Sequence, residues 1–169
     1  MKVIRSYHVG VAAEAFAAGA FAQAGCDVLV QYGANQPEYD LMVTRGGNAL
    51  HVSVKGSQDS GWGLIQNYKS AERGYHSAAD SWAASHSIPG LIYCFVQFAG
   101  VSLGQVPRMY LATIDEVKAR HKESRNGLGS TILYENRCYA KGEAKGCIDR
   151  IPDTWRFTHE RLGQFLPGT

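Results

Sequence analysis

The chain has 169 residues, 45% of them hydrophobic, with 17 Lys and Arg against 15 Asp and Glu. That is the length of one domain, residues 1–169, with enough apolar side chain to close a core without disulfide or metal staples. The formal net charge of +2 is too small to mark a nucleic-acid footprint by itself, although a local basic groove can hide inside it.

No segment reaches the run of roughly 18 apolar residues that a membrane span needs. The N-terminal MKVIRSYHVG lacks the apolar stretch and cleavage site of a signal peptide, so the expected location is the cytoplasm. Cys26, Cys94, Cys138 and Cys147 form no C-x-x-C pair. Cys26 and Cys94 fall in apolar runs where a thiol acts as a small hydrophobe, so structural thiols are expected rather than a zinc site or disulfides. Residues 1–112 carry seven basic and seven acidic residues and residues 113–169 ten and eight. The first part is therefore read as core-forming and the second as a C-terminal extension within the same domain.

In chain order, His8 to Ala24 is rich in Ala, has no Pro and stops before Gly25, which predicts a helix with small residues for close packing. CDVLVQYG (26–33) and EYDLMVTR (38–45) read as strands separated by the loop ANQP. Gly46-Gly47-Asn48 supplies a hairpin turn into ALHVSVKG (49–56), where Leu50, Val52 and Val54 alternate with His51, Ser53 and Lys55. SQDSGWG reads as a loop, and Tyr75, Ala78, Ala79, Trp82 and His86 recur at helical spacing until Ile88-Pro89-Gly90. LIYCFVQF (91–98) predicts a strand buried on both faces, and RMYLATI (108–114) a further strand. Thr113 and Glu116 have capping-box spacing for a charged helix to about Glu123, and Thr158 is placed to cap a short helix, HERLGQFL. Residues 126–157 are Gly-rich and irregular, with a short strand near Thr131 to Tyr134.

Phosphodiester hydrolysis with a divalent metal needs oxygen ligands, a group that positions or deprotonates water, and positive charge where the transition state becomes more negative. Glu14, Asp40 and Lys55 are residues of those types. If the two strands around Gly46-Gly47 are antiparallel neighbours, side-chain alternation puts Asp40, Ser53 and Lys55 on one sheet face. An ionised Asp40 among Tyr, Leu, Met and Val needs a cation, a hydrogen-bond donor or water, and a plain salt bridge to Lys55 is the competing account. Glu14, among alanines and phenylalanines, lies either on the exposed stripe of its helix or in a polar cleft.

A helix with Glu14, a strand, Pro37-Glu38-Tyr39-Asp40, a hairpin, Ser53-Val54-Lys55-Gly56, a helix and a strand resemble, in that order, the PD-(D/E)XK nuclease superfamily. The resemblance covers residues 8 to about 98. It implies an α/β fold with a restriction-endonuclease-like αβββαβ core, a mixed central sheet flanked by helices, followed here by a C-terminal α/β extension. It also implies a metal-dependent nuclease acting on DNA, with Mg²⁺ or Mn²⁺ held by Asp40 and Glu14 and with Lys55 orienting water or offsetting charge.

Ser53 departs from that pattern, because the superfamily usually carries Asp or Glu there. A hydroxyl is a weak ligand, so metal affinity falls unless another carboxylate enters, Asp59 or Glu72 being nearest in sequence. Gln58, Trp62, Tyr68, Lys69, Arg73 and His76 interleave polar, aromatic and basic groups suited to bases and phosphates, while a core-plus-surface helix is the alternative, preferred for Tyr75. A homodimer is compatible with the reading, since nucleases that cut both strands are frequently two-fold dimers. The alternatives are a PD-(D/E)XK-like domain that binds nucleic acid or protein without cutting, and an unrelated α/β binding or toxin-neutralising protein, since so short a pattern also arises by chance in hairpins. HExxH and Walker A sequences are absent, and the letters G-x-S-x-G occur at Gly100 to Gly104 only in a loop between two predicted strands, not at the strand-to-helix turn a nucleophile elbow needs, so other hydrolase and NTPase readings find no foothold.

Overall fold

The computed structural model describes residues 5–31 and 38–167. Among these the elements run α1 (Ser6–Gln23), β1 (Asp27–Val30), β2 (Leu41–Arg45), β3 (Asn48–Ser57), β4 (Gly61–Gly63), α2 (Tyr75–Ala84), β5 (Ile92–Gln97), β6 (Arg108–Thr113), α3 (Ile114–Glu123), β7 (Ile132–Tyr134), β8 (Asn136–Cys138), β9 (Ile148–Arg150) and α4 (His159–Phe165). They form two compact units that interleave in sequence. One comprises residues 1–59, 88–113 and 154–169, and the other residues 60–87 and 114–153. No helix among the described residues is long and apolar enough to cross a membrane.

The first unit is built on a five-stranded mixed sheet in the order β1-β2-β3-β5-β6. β1, β2 and β3 form an antiparallel meander. β5 then lies parallel to β3, with Val52 opposite Ile92 and Lys55 opposite Phe95, and β6 closes the far edge antiparallel to β5. Gly46 and Gly47 form the β2–β3 turn with φ of 58° and 80°, values that L side chains rarely adopt and that suit a two-residue hairpin. The strand predicted over 26–33 is assigned only from Asp27 to Val30, and residues 32–37, including Pro37 of the motif, lie outside the described residues.

The apolar side of this sheet follows from alternation. Leu50, Val52 and Val54 of β3, Leu41 and Val43 of β2, and Ile92, Cys94 and Val96 of β5 enter one core with Ala13, Ala17 and Phe21 of α1. Val9, Ala13, Ala17 and Phe21 recur every four residues and form the buried stripe of α1. The helix approaches β3 closely because Gly56 has no side chain. A Cβ there would stand 2.8 Å from the Val9 carbonyl oxygen and 2.9 Å from Ala13 Cβ.

The segment from Thr154 onward returns to this unit. Leu162 of α4 and Leu166, the residue that follows it, complete the core, and Thr158 caps the helix by accepting the Arg161 N–H at 3.0 Å. The buried Arg161 guanidinium donates to the Leu111 carbonyl from Nε and Nη2, and Arg45 donates to the Leu166 carbonyl. The extension expected over 113–169 is therefore divided, its final helix belonging with the sheet.

In the second unit β4 pairs antiparallel with β7 and β8 with β9. Lys122 of α3 pairs with Asp80 of α2 at 2.6 Å. Buried Asp149 accepts from Arg120, from the Arg125 N–H and from the Tyr139 hydroxyl, so α3, the turn after it and the Gly-rich region converge on one carboxylate. The four cysteines are free thiols, and burial pushes the Cys94 thiol up to about 12, consistent with a packing role.

Candidate active site

Asp40 sits at the mouth of β2, one residue before the strand begins. Its N–H donates to the Val52 carbonyl at 2.9 Å, and its carbonyl accepts the Gln31 N–H at 2.9 Å. Since Leu41 lies opposite Val52, the next step outward puts Asp40 beside Ser53. Its carboxylate Oδ2 accepts the Val54 N–H at 2.6 Å and the Ser53 hydroxyl at 3.3 Å. The half-buried carboxylate is thus tied to β3 at the position where the sequence pattern places its polar residues.

Ser53 is only 2% exposed. Its hydroxyl is turned toward Asp40, so the residue that departs from the superfamily pattern serves as a donor to the carboxylate beside it. Lys55, two residues on, is half-buried and shares the side-chain direction of Ser53 by alternation.

Glu14 of α1 is half-buried, and its ionisation reports its neighbours. Burial raises its carboxyl above the ordinary value, the Asp40 charge raises it further, and the Lys55 ammonium opposes both. Asp40 and Lys55 therefore both lie near enough to act on Glu14 through space, although 41 positions separate Glu14 from Lys55. The close seat of α1 on Gly56 brings this about, because Glu14 follows Ala13, one of the two residues that press on Gly56.

Two carboxylates, one buried hydroxyl and one ammonium form the cluster. Among the described residues no three His, Cys, Asp or Glu side chains group to hold a metal. Mg²⁺ nevertheless binds commonly through one or two carboxylates and retains several waters, so the Glu14–Asp40 pair fits such an ion in number and type. Mutual repulsion between the two carboxylates is the electrostatic condition that a divalent cation relieves.

Other sequence-predicted residues lie elsewhere. Asp59 is exposed and accepts the Ser57 hydroxyl at 2.9 Å, so it is not gathered into a three-carboxylate group with Glu14 and Asp40. Gln58 is half-buried at the end of β3. Trp62, Tyr68, Lys69, Arg73 and His76 belong to the second unit. Trp62 lies in β4 and is 3% exposed, so the stacking on bases expected of it is closed off by burial. The Tyr68 hydroxyl bonds Ser85 Oγ at 2.8 Å, while Lys69, Arg73 and His76 are exposed. Sequence reading gave no part to Arg125, whose side chain lies over the ring of Tyr75. Its place beside that ring depends on a contact between residues 50 positions apart.

No protein-family model matches the chain, and neither the curated proteins nor the solved structures searched contain a match.

Proposed function

We propose that this chain is a metal-dependent nuclease of the PD-(D/E)XK type that hydrolyses phosphodiester bonds, with DNA as the substrate. The observation that carries the reading is the seat of the Asp40 carboxylate on Ser53 and Val54, beside Lys55 of the same strand and under an α1 that presses on Gly56 at the residue before Glu14, which gathers the residue types that this chemistry requires. The influence of Asp40 and Lys55 on Glu14 agrees with it. The order helix, three-stranded meander, helix and parallel strand is compatible with the restriction-endonuclease-like core and supports the same reading.

In this proposal Asp40 and Glu14 hold Mg²⁺ or Mn²⁺. When bound, the cation supplies a polarised water and stabilises charge on the phosphate. Val54 N–H and the Ser53 hydroxyl fix the Asp40 carboxylate, leaving Oδ1 for a ligand. Lys55 places positive charge where the attacked phosphate becomes more negative.

A second reading has its own support. The Ser53 and Val54 donors give Asp40 a structural role without a metal, which suits a related domain that binds nucleic acid or a protein partner without cutting. Incubation of the purified protein with plasmid, linear duplex, single-stranded DNA and RNA, in Mg²⁺ and in Mn²⁺, separates the two. The nuclease reading expects cleavage that Asp40→Ala abolishes. Absence of cleavage on every substrate, or cleavage indifferent to that substitution, overturns it.

A further inference from the structure

The second unit holds a cationic cluster assembled from two distant segments. Lys69 Nζ lies 4.8 Å from the centroid of the Tyr75 ring, and the Arg125 guanidinium carbon lies 5.6 Å from the same centroid. Two cations sharing one ring repel each other, and the attraction of each to the π face offsets part of that cost. Among the described residues neither cation is paired with a carboxylate within ion-pair distance. Arg73 and His76, both exposed, lie within the same short segment as Lys69.

The cluster rests on a fixed scaffold. Arg125, Asn126 and Gly127 have φ of 56°, 57° and 87°, a run of left-handed residues that turns the chain sharply after α3. His76 Nε2 bonds the Gly127 carbonyl at 2.8 Å. A Cβ on Gly129 would stand 2.5 Å from Tyr75 Cβ, so this turn lies directly against Tyr75. The Arg125 N–H is held by Asp149, whose charge is matched by Arg120. The guanidinium of Arg125 is left for the ring and for an outside anion.

We propose that Tyr75, Lys69 and Arg125 form a phosphodiester-binding platform that grips the backbone of a DNA substrate without reading its sequence. Tyr75 is a positioning residue, its ring orienting the two cations, and Lys69 and Arg125 contact successive phosphates. Backbone contacts of this kind set register and affinity while leaving base edges unread. The inference deepens the nuclease reading by naming the element that holds the substrate, and it rests on that reading for DNA as the ligand.

The test is equilibrium binding of a short labelled random-sequence duplex to the full chain in EDTA, measured by anisotropy over a series of salt concentrations. Because no metal is present, failure of the platform and failure of catalysis are read separately. Lys69→Ala/Arg125→Ala is expected to lower the slope of log affinity against log salt by about 2, as loss of two phosphate contacts predicts. Tyr75→Leu is expected to weaken binding, with affinity restored in Tyr75→Phe, which keeps the ring. Should the double variant lose its fold by circular dichroism, Lys69→Gln and Arg125→Gln are measured singly, each expected to lower the slope by about 1. No binding by the parent chain, or an unchanged slope in the folded variants, overturns the platform even if the protein cuts DNA.

Discussion

Asp40 and Val54 are joined across the β2–β3 pair by a hydrogen bond of 2.6 Å from the Val54 N–H to Oδ2. The bond fixes a carboxylate one residue outside its own strand by means of the neighbouring strand's backbone. Replacing Asp40 by Ala leaves that buried donor without its acceptor, at a cost of about 1–3 kcal/mol. Asp40→Asn keeps an acceptor and is expected to recover most of the loss in urea denaturation, yet to remain inactive in cleavage.

Glu14 gives a pH-dependent prediction. Its carboxyl is raised in the folded protein, by burial first and the Asp40 charge second. The neutral acid is therefore favoured by folding. Its contribution to stability is complete below the ordinary carboxyl value and is lost as pH rises through the raised one. Glu14→Gln should consequently be more stable than the parent at neutral pH in EDTA, with the advantage fading in acid. The same variant should lose the stabilisation that Mg²⁺ or Mn²⁺ gives the parent, as measured by thermal midpoint with and without metal.

Ser53→Asp tests the departure from the superfamily pattern. A carboxylate in place of the hydroxyl that stands 3.3 Å from Asp40 Oδ2 introduces like-charge repulsion at a buried position. The thermal midpoint in EDTA should fall. Added Mn²⁺ should raise it more than in the parent, a metal at a hundredfold excess over its dissociation constant adding about 2.7 kcal/mol of stability in all. An equal metal response in both proteins counts against Asp40 as a ligand.

His121 controls acid stability in the second unit. Its ring is 1% exposed, Nδ1 donates to the Ser130 carbonyl at 2.8 Å, and Nε2 has no hydrogen-bond partner among the described residues. Burial lowers its pKa to about 4, with the Ser130 bond opposing and the Arg120 charge assisting. The neutral ring is the form that folding favours. Stability is intact above about 6.5, the ordinary histidine value, and is lost as pH falls toward 4, in total by about 3 kcal/mol. Urea titrations across that range should show the loss, and His121→Gln should flatten it.

Gly56→Ala probes the seat of α1. The added methyl meets the Val9 carbonyl and Ala13 Cβ at under 3 Å, and a backbone carbonyl cannot swing aside as a side chain can. A loss of about 1–3 kcal/mol is expected. Catalysis should fall as well, because displacement of α1 carries Glu14 with it.

Much of the sheet unit was legible because its signals are local. Gly25 ends α1 with φ of 83°, Gly46-Gly47 turns the hairpin, and alternation in β3 separates Val52 and Val54 from Ser53 and Lys55. The pairing of β3 with β5 was approachable through the apolar run at 91–98, buried throughout from Leu91 to Gln97. β4 was read as loop because its three residues, Gly61, Trp62 and Gly63, are a strand only by pairing with Ile132, Leu133 and Tyr134. Trp62 looked available to a base for the same reason. Asp59 looked like a replacement ligand on sequence distance alone, whereas the Ser57 hydroxyl holds it at the end of the strand. The composition shift near residue 113 falls where one unit gives way to the other, but the return of Leu162 and Leu166 to the core has no local signature.

That return affects how the chain is made. The core around α1 and β3 includes Leu162 and Leu166, both fully buried, so during synthesis the apolar side of the sheet stays incomplete until residue 166 has left the ribosome. The first unit also contains sequence from both sides of the second, and the second is itself interrupted by residues 88–113 of the first, so neither follows the simple order in which an N-terminal domain folds before its successor is translated. A nascent chain arrested after residue 113 should expose the surface that α4 covers and be a substrate for chaperones and proteases, while release of the remaining segment should protect it.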